Sequence, residues 1–87
     1  MDQVIDFQGE EPSLRLRVRS CMEKRNIRSV AALNRKLREA GVEISHQQLS
    51  RVVNNETQHL NIPLLNAMVR VLQCRVDELF ALVPTHA

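Results

Sequence analysis

Residues 45–55, SHQQLSRVVNN, place amide, hydroxyl and guanidinium groups on one face of a helical repeat. With Leu49 at zero and ~100° per residue, Ser50 falls near ~100°, Asn54 near ~140°, Gln47 near ~160° and Arg51 near ~200°. Leu49, Val52 and Val53 lie within ~100° of arc on the other side, a stripe that suits a core. Those outward groups are the ones that hydrogen-bond base edges. Glutamine grips adenine at two points, arginine grips guanine the same way, and serine serves either. A polar outward face is also what any solvated helix presents, so the elements around the stretch decide its meaning.

Those elements read as helices with their own start and stop signals. Ser45 with Gln48 three residues on is a capping-box pattern. Upstream, Ser29 is expected to cap a helix from Val30 to Ala40, with Val30, Leu33, Leu37 and Ala40 inward, and Gly41 ends it with a residue free to adopt positive φ. Val42, Glu43 and Ile44 then cross to Ser45, so helix, glycine, short apolar link and capped helix follow in the helix-turn-helix order. Asn61 caps a further helix, with Pro63 tolerated in its first turn, and Leu65, Met68 and Leu72 form its inner stripe. A last helix is expected from about Val76 to Val83, with Asp77 and Glu78 favoured by its N-terminal dipole and Pro84 stopping it.

Residues 13–25 carry two patterns at once. Leu14, Val18, Cys21 and Met22 repeat at helical spacing after a Ser13 cap, whereas Leu14-Arg15-Leu16-Arg17-Val18-Arg19 alternates with period two. Helix is preferred because the longer period continues through Met22 into good helix formers. The alternation leaves a rival open: a ribbon-helix-helix protein, whose paired strands enter the major groove with alternate basic residues toward the bases.

The chain has 87 residues, 44% apolar and 25% charged, the makings of one small soluble domain. Phe7 and Phe80 are the only aromatics, so the core is expected to be aliphatic and stacking platforms for single strands are scarce. Cys21 and Cys74 have no short metal-ligand spacing and read as reduced, buried thiols. His46, His59 and His86 lack the spacing of a helical metal pair, and there is no glycine-rich phosphate loop, which argues against an enzyme, a metal or any cofactor. No apolar run approaches the ~18 residues of a membrane span and no leader pattern stands first, so a cytoplasmic, nucleoid-associated protein is expected.

Charge is uneven along the chain. Residues 1–12 carry Asp2, Asp6, Glu10 and Glu11 with no base, whereas residues 13–56 carry ten Lys or Arg against four Glu, a net +6. The basic excess shares its half of the chain with residues 45–55, as phosphate binding requires, with Arg28, Arg35, Lys36 and Arg38 as candidates. The acidic arm also holds Val4, Ile5 and Phe7, and its charge suits it to compete with DNA for the basic face. The chain thus divides into an acidic arm (1–12), a helical domain (13–84) and a short tail (85–87).

Residues 14–83 resemble the Cro-type, lambda-repressor-like helix-turn-helix domain of prokaryotic and phage regulators. The likeness rests on Ser29-Val30-Ala31-Ala32-Leu33, Gly41-Val42, Ile44-Ser45, Leu49-Ser50-Arg51-Val52-Val53-Asn54, Leu64-Leu65, and the run from Leu72 to Leu79, LQCRVDEL. It implies an all-α fold, a compact bundle of about five short helices containing a helix-turn-helix, with a short N-terminal arm and the third helix in the major groove. It further implies His46, Gln47, Ser50 and Arg51 as base readers, and Ser29, Asn54, Asn55 and Thr57 as phosphate contacts. The helical wheel independently favours Gln47, Ser50 and Arg51, and sets His46 near ~60°, at the edge of the core face.

Three departures bear on docking. Helix two and its turn are longer than the usual form by roughly one helical turn. Asn34 stands where the family has a small residue, which predicts a looser contact between helices two and three. Asn55 replaces a common glycine, though asparagine tolerates left-handed backbone.

The function expected is therefore sequence-specific double-stranded DNA binding by a transcriptional repressor, as a homodimer at least on DNA. The competing expectation is a protein-interaction module such as an antitoxin subunit, motivated by the arm and by Leu79, Phe80 and Val83.

Overall fold

The computed structural model describes residues 12–57 and 59–84. The arm up to residue 11, with Val4, Ile5 and Phe7, and the tail from residue 85, with His86, lie outside the described residues. The elements run β1 (Pro12–Leu16), α1 (Val18–Lys24), α2 (Val30–Glu39), α3 (His46–Val53), α4 (Ile62–Leu72), α5 (Val76–Leu79) and β2 (Phe80–Pro84). Five short helices dominate, as expected, and a small antiparallel sheet joins the two ends of the domain.

That sheet corrects two expectations. Residues 13–25 are not one helix: the period-two pattern holds through Leu16, and the helical period begins at Val18, where Val18, Cys21 and Met22 are buried. Ser13 caps nothing and lies within β1; the residue before α1 is Arg17. Likewise the last helix stops at Leu79, not Val83, because Phe80 turns to extended backbone and starts β2. Both ends choose strand because each supplies the other's ladder. Leu14 pairs with Leu82 and Leu16 with Phe80, and the prolines fall opposite each other at the open end, where a missing N–H costs least. The ribbon-helix-helix alternative fails on the same observation. The strand pairs within its own chain, Arg19 is already helical, and Arg17 donates to the Asp77 and Phe80 carbonyls instead of facing outward with Arg15.

The core beneath is aliphatic with sulfur: Val18, Cys21, Met22, Ile27, Leu33, Leu37, Leu49, Val52, Val53, Leu64, Ala67, Met68, Leu72 and Leu79 are buried, with Leu16 at its edge. α2 lies centrally, packed on α3 and α4, while α1 packs on α5. Ala40, expected inward, is exposed as the C-cap residue. In α4 the inner face is Leu64, Ala67, Met68 and Leu72, rotated slightly from the expected stripe so that Leu65 is half-buried.

Gly41 adopts φ +92°, and a Cβ there would meet nothing within 4 Å. Its requirement is therefore conformational and not spatial. Gly41→Ala should cost about 1 kcal/mol by chemical denaturation, with no change in the core. A cost near zero would show that the turn relaxes freely.

Cys21 and Cys74 are both free thiols. Burial, reinforced by the neighbouring Cys21, pushes the Cys74 thiol up from 9.0 to about 11. The folded chain thus holds this proton more tightly than the unfolded chain. Its stabilising contribution is complete below about pH 9 and fades as pH climbs through about 11. At pH 8 the thiolate fraction of Cys74 should be roughly 100-fold lower than at its ordinary value. Iodoacetamide should therefore label Cys74 far more slowly in the native protein than in urea. Equal rates would place Cys74 in water.

Candidate nucleic-acid interface

The two helices that frame the candidate face are joined by residues 40–45. The Gly41 N–H donates to the Arg38 carbonyl at 3.0 Å and the Val42 N–H to that of Leu37 at 2.9 Å, which closes α2. Asn34 then fixes the link. Only 7% exposed, it donates from Nδ2 to the Ile44 carbonyl at 2.9 Å and accepts from Arg38 at 3.3 Å. The expected loosening is thus reversed, because a buried amide tied to the turn holds α2 and α3 together where a small residue would leave the Ile44 carbonyl without this partner. Ser45 Oγ accepts the Gln48 N–H at 3.1 Å and starts α3.

On α3, Leu49, Val52 and Val53 are buried, as the wheel requires. His46, Gln47, Gln48, Arg51 and Asn54 are exposed, and Ser50 is half-buried at the edge. His46 borders a shallow recess between α2 and α3, together with Ala31, Asn34, Arg35, Arg38, Ile44 and Ser45. Its position at the first turn carries it off the core face that the wheel assigned it to border. Gln48, read from the sequence only as the partner of Ser45 in a capping box, borders a neighbouring recess with Arg38, Glu43, Ile44 and Ser45.

Of the expected phosphate contacts, Arg28, Ser29, Arg35 and Asn54 are exposed. Ser29 Oγ accepts the Ala32 N–H at 3.0 Å, which caps α2 and leaves its own proton to donate. Arg28 Nε donates to Asn26 Oδ1 at 3.2 Å. Asn54 Oδ1 accepts from Arg19 at 2.7 Å, so an arginine of α1 sits at the end of α3. Arg19 was missed because its partner is 35 residues away and no local pattern announces it.

Asn55 and Thr57 are placed differently. Asn55, at φ 60°, accepts the Leu16 N–H at 2.7 Å and donates to the Leu16 carbonyl at 3.0 Å. Both ends of its amide are engaged by β1, so it serves the fold. The Thr57 hydroxyl donates to the His59 carbonyl at 3.0 Å and accepts the His59 N–H at 3.3 Å, which closes a local turn.

Among the described residues the ion pairs are Lys24 with Glu78, at 4.0 Å, and Arg75 with Asp77, at 3.1 Å. Both involve α5 carboxylates, and none neutralises an arginine of α2 or α3. The described residues include no helix long and apolar enough to cross a membrane.

A capped helix with a polar outer face, clamped at a fixed turn to a second helix whose arginines meet no carboxylate among the described residues, defines a helix-turn-helix domain. The chain belongs to the Cro/C1-type helix-turn-helix DNA-binding domain family, whose model matches residues 17–85. No curated protein and no solved structure gives a significant match to it.

Proposed function

We propose that this protein is a sequence-specific transcriptional repressor that reads the major groove of double-stranded DNA with α3. Gln47, Ser50 and Arg51 contact base edges, with His46 at the groove-entering end. Arg28, Ser29, Arg35 and Asn54 grip phosphates and set the register, and Arg19 joins them by orienting the Asn54 amide. Asn55 and Thr57 are omitted because their polar groups are engaged within the fold. Two copies occupy two half-sites about one DNA turn apart, so the operator is a palindrome. Repression follows from occupancy alone, without a chemical step.

The observation that carries this reading is the exposed row Gln47, Arg51 and Asn54 directly opposite the buried Leu49, Val52 and Val53. Selection from a randomised double-stranded DNA pool, followed by sequencing of the retained fraction, tests it. A palindromic enriched motif is expected. A folded protein that enriches no motif would move the function to a protein-interaction module, such as an antitoxin subunit.

A further inference from the structure

Two sulfurs that the DNA reading leaves unused are brought together from distant parts of the chain. Cys21 lies on α1 and is 2% exposed, and Cys74 lies half-buried in the link between α4 and α5. Three contacts along one face of α1 locate them. Cys21 Sγ donates to the Glu78 carbonyl at 3.8 Å, and Lys24 Nζ stands 4.0 Å from the Glu78 carboxylate. One turn beyond Cys21, Arg25 donates to Gln73 Oε1 at 3.2 Å. The face that carries Cys21 and Arg25 is thus held against the segment from Gln73 to Glu78, in which Cys74 stands. Cys21 also acts on the Cys74 thiol directly, by charge and by a side-chain hydrogen bond.

A single buried cysteine is explained by packing, as a small apolar side chain. Two in contact are also the two halves of a cross-link. We infer that Cys21 and Cys74 form a reversible disulfide site, closed by hydrogen peroxide, that locks α1 to the link between α4 and α5.

Cys74 is the more accessible sulfur and meets the oxidant first. Its thiolate attacks one peroxide oxygen. The S–O bond forms, the O–O bond breaks, and the leaving hydroxide takes up the proton that the thiol released, giving water. Cys21 then loses its proton and attacks the sulfenic sulfur. The S–S bond forms, the S–O bond breaks, and the second hydroxide leaves as water. The two thiols together give up two electrons and two protons, and the peroxide is reduced to two waters.

The surroundings make this a slow device. Cys21 and the Glu78 carboxylate, itself beside Lys24, face Cys74, while Arg25 is turned to Gln73; with burial, the first two hold Cys74 as the thiol. Attack needs the thiolate, so closure near neutral pH takes sustained peroxide. The bridge also lies away from α3. Arg19 and Cys21, two residues apart, are separated by ~200° around the helix, and Arg19 is the one that bonds Asn54 at the end of α3. Closure therefore reinforces the fold without pulling on α3.

Peroxide treatment of the folded full chain tests it, with residual thiols then blocked by iodoacetamide and the non-reduced peptides mapped. A peptide pair joined through Cys21 and Cys74 of one chain is expected, at a rate that rises about tenfold per pH unit between pH 7 and 9. The oxidised protein should unfold in urea at a midpoint higher by about 1 M or more, and dithiothreitol should return both the map and the midpoint to their starting values. Cys74→Ser, at the half-buried position, should fold, yield no such pair and show no peroxide-dependent rise; Cys21→Ala checks the same from the other side. Thiols that both stay free under sustained peroxide at pH 9, cross-links found only between chains, or a joined pair that leaves the midpoint unchanged or lower would overturn the proposal.

Discussion

Asn55→Ala destabilises the domain by about 2–4 kcal/mol, the sum expected from losing two hydrogen bonds and forcing alanine into left-handed backbone. At this chain length that corresponds to a fall of roughly 8–30 °C in Tm. The reason is that Asn55 does two jobs in one position. Its backbone ends α3 at φ 60°, and its amide reaches 39 residues back to satisfy both main-chain groups of Leu16. The bond therefore ties the end of α3 to the sheet. Asn55→Gly separates the two effects, since glycine adopts the backbone freely but makes neither bond. It should be intermediate in stability. Where each variant remains folded, its DNA affinity should match the wild type, because the amide faces β1 and not solvent. A wild-type Tm with weakened DNA binding would instead return Asn55 to the phosphate-contacting set.

Arg51→Ala should produce the largest change in recognition. Arg51 is exposed at the centre of the outward face of α3, and no described carboxylate pairs with it. Removing a guanidinium that grips a guanine costs ~1–3 kcal/mol and relaxes preference at that one base position. Arg28→Ala makes the contrast, because a phosphate contact carries no sequence information. It should weaken all sequences alike and flatten the salt dependence by about one unit of slope. Titration of both variants against the selected site and its single-base variants distinguishes the roles. Equal weakening on every sequence by Arg51→Ala would reassign it to the backbone.

What was legible in the sequence was local. The caps Ser29, Ser45 and Asn61 each accept the N–H three residues on, at 3.0, 3.1 and 2.8 Å, because a cap is decided within one turn. The buried and exposed faces of α3 followed from its period for the same reason. The sheet did not, because residues 13–19 satisfy two periods and the choice between them rests on a strand 68 residues away. Asn34, Asn55 and Arg19 share that origin. Each side chain is engaged by a partner 10 to 39 residues distant, which no local pattern in the sequence announces.

The clamp at Asn34 also holds α3 to α2 across the link. The amide bridges α2 to the Ile44 carbonyl just before the α3 cap.

The most direct measurement is the ratio of affinities for the selected DNA site and a scrambled duplex of equal length, at one salt concentration, for the wild type and for Gln47→Ala/Arg51→Ala. Base readout through α3 predicts a wild-type ratio of about 10³ or more, falling at least 10-fold in the double variant while affinity for the scrambled duplex changes little. A ratio near one for the wild type, or one that survives loss of both side chains, would contradict reading by this helix.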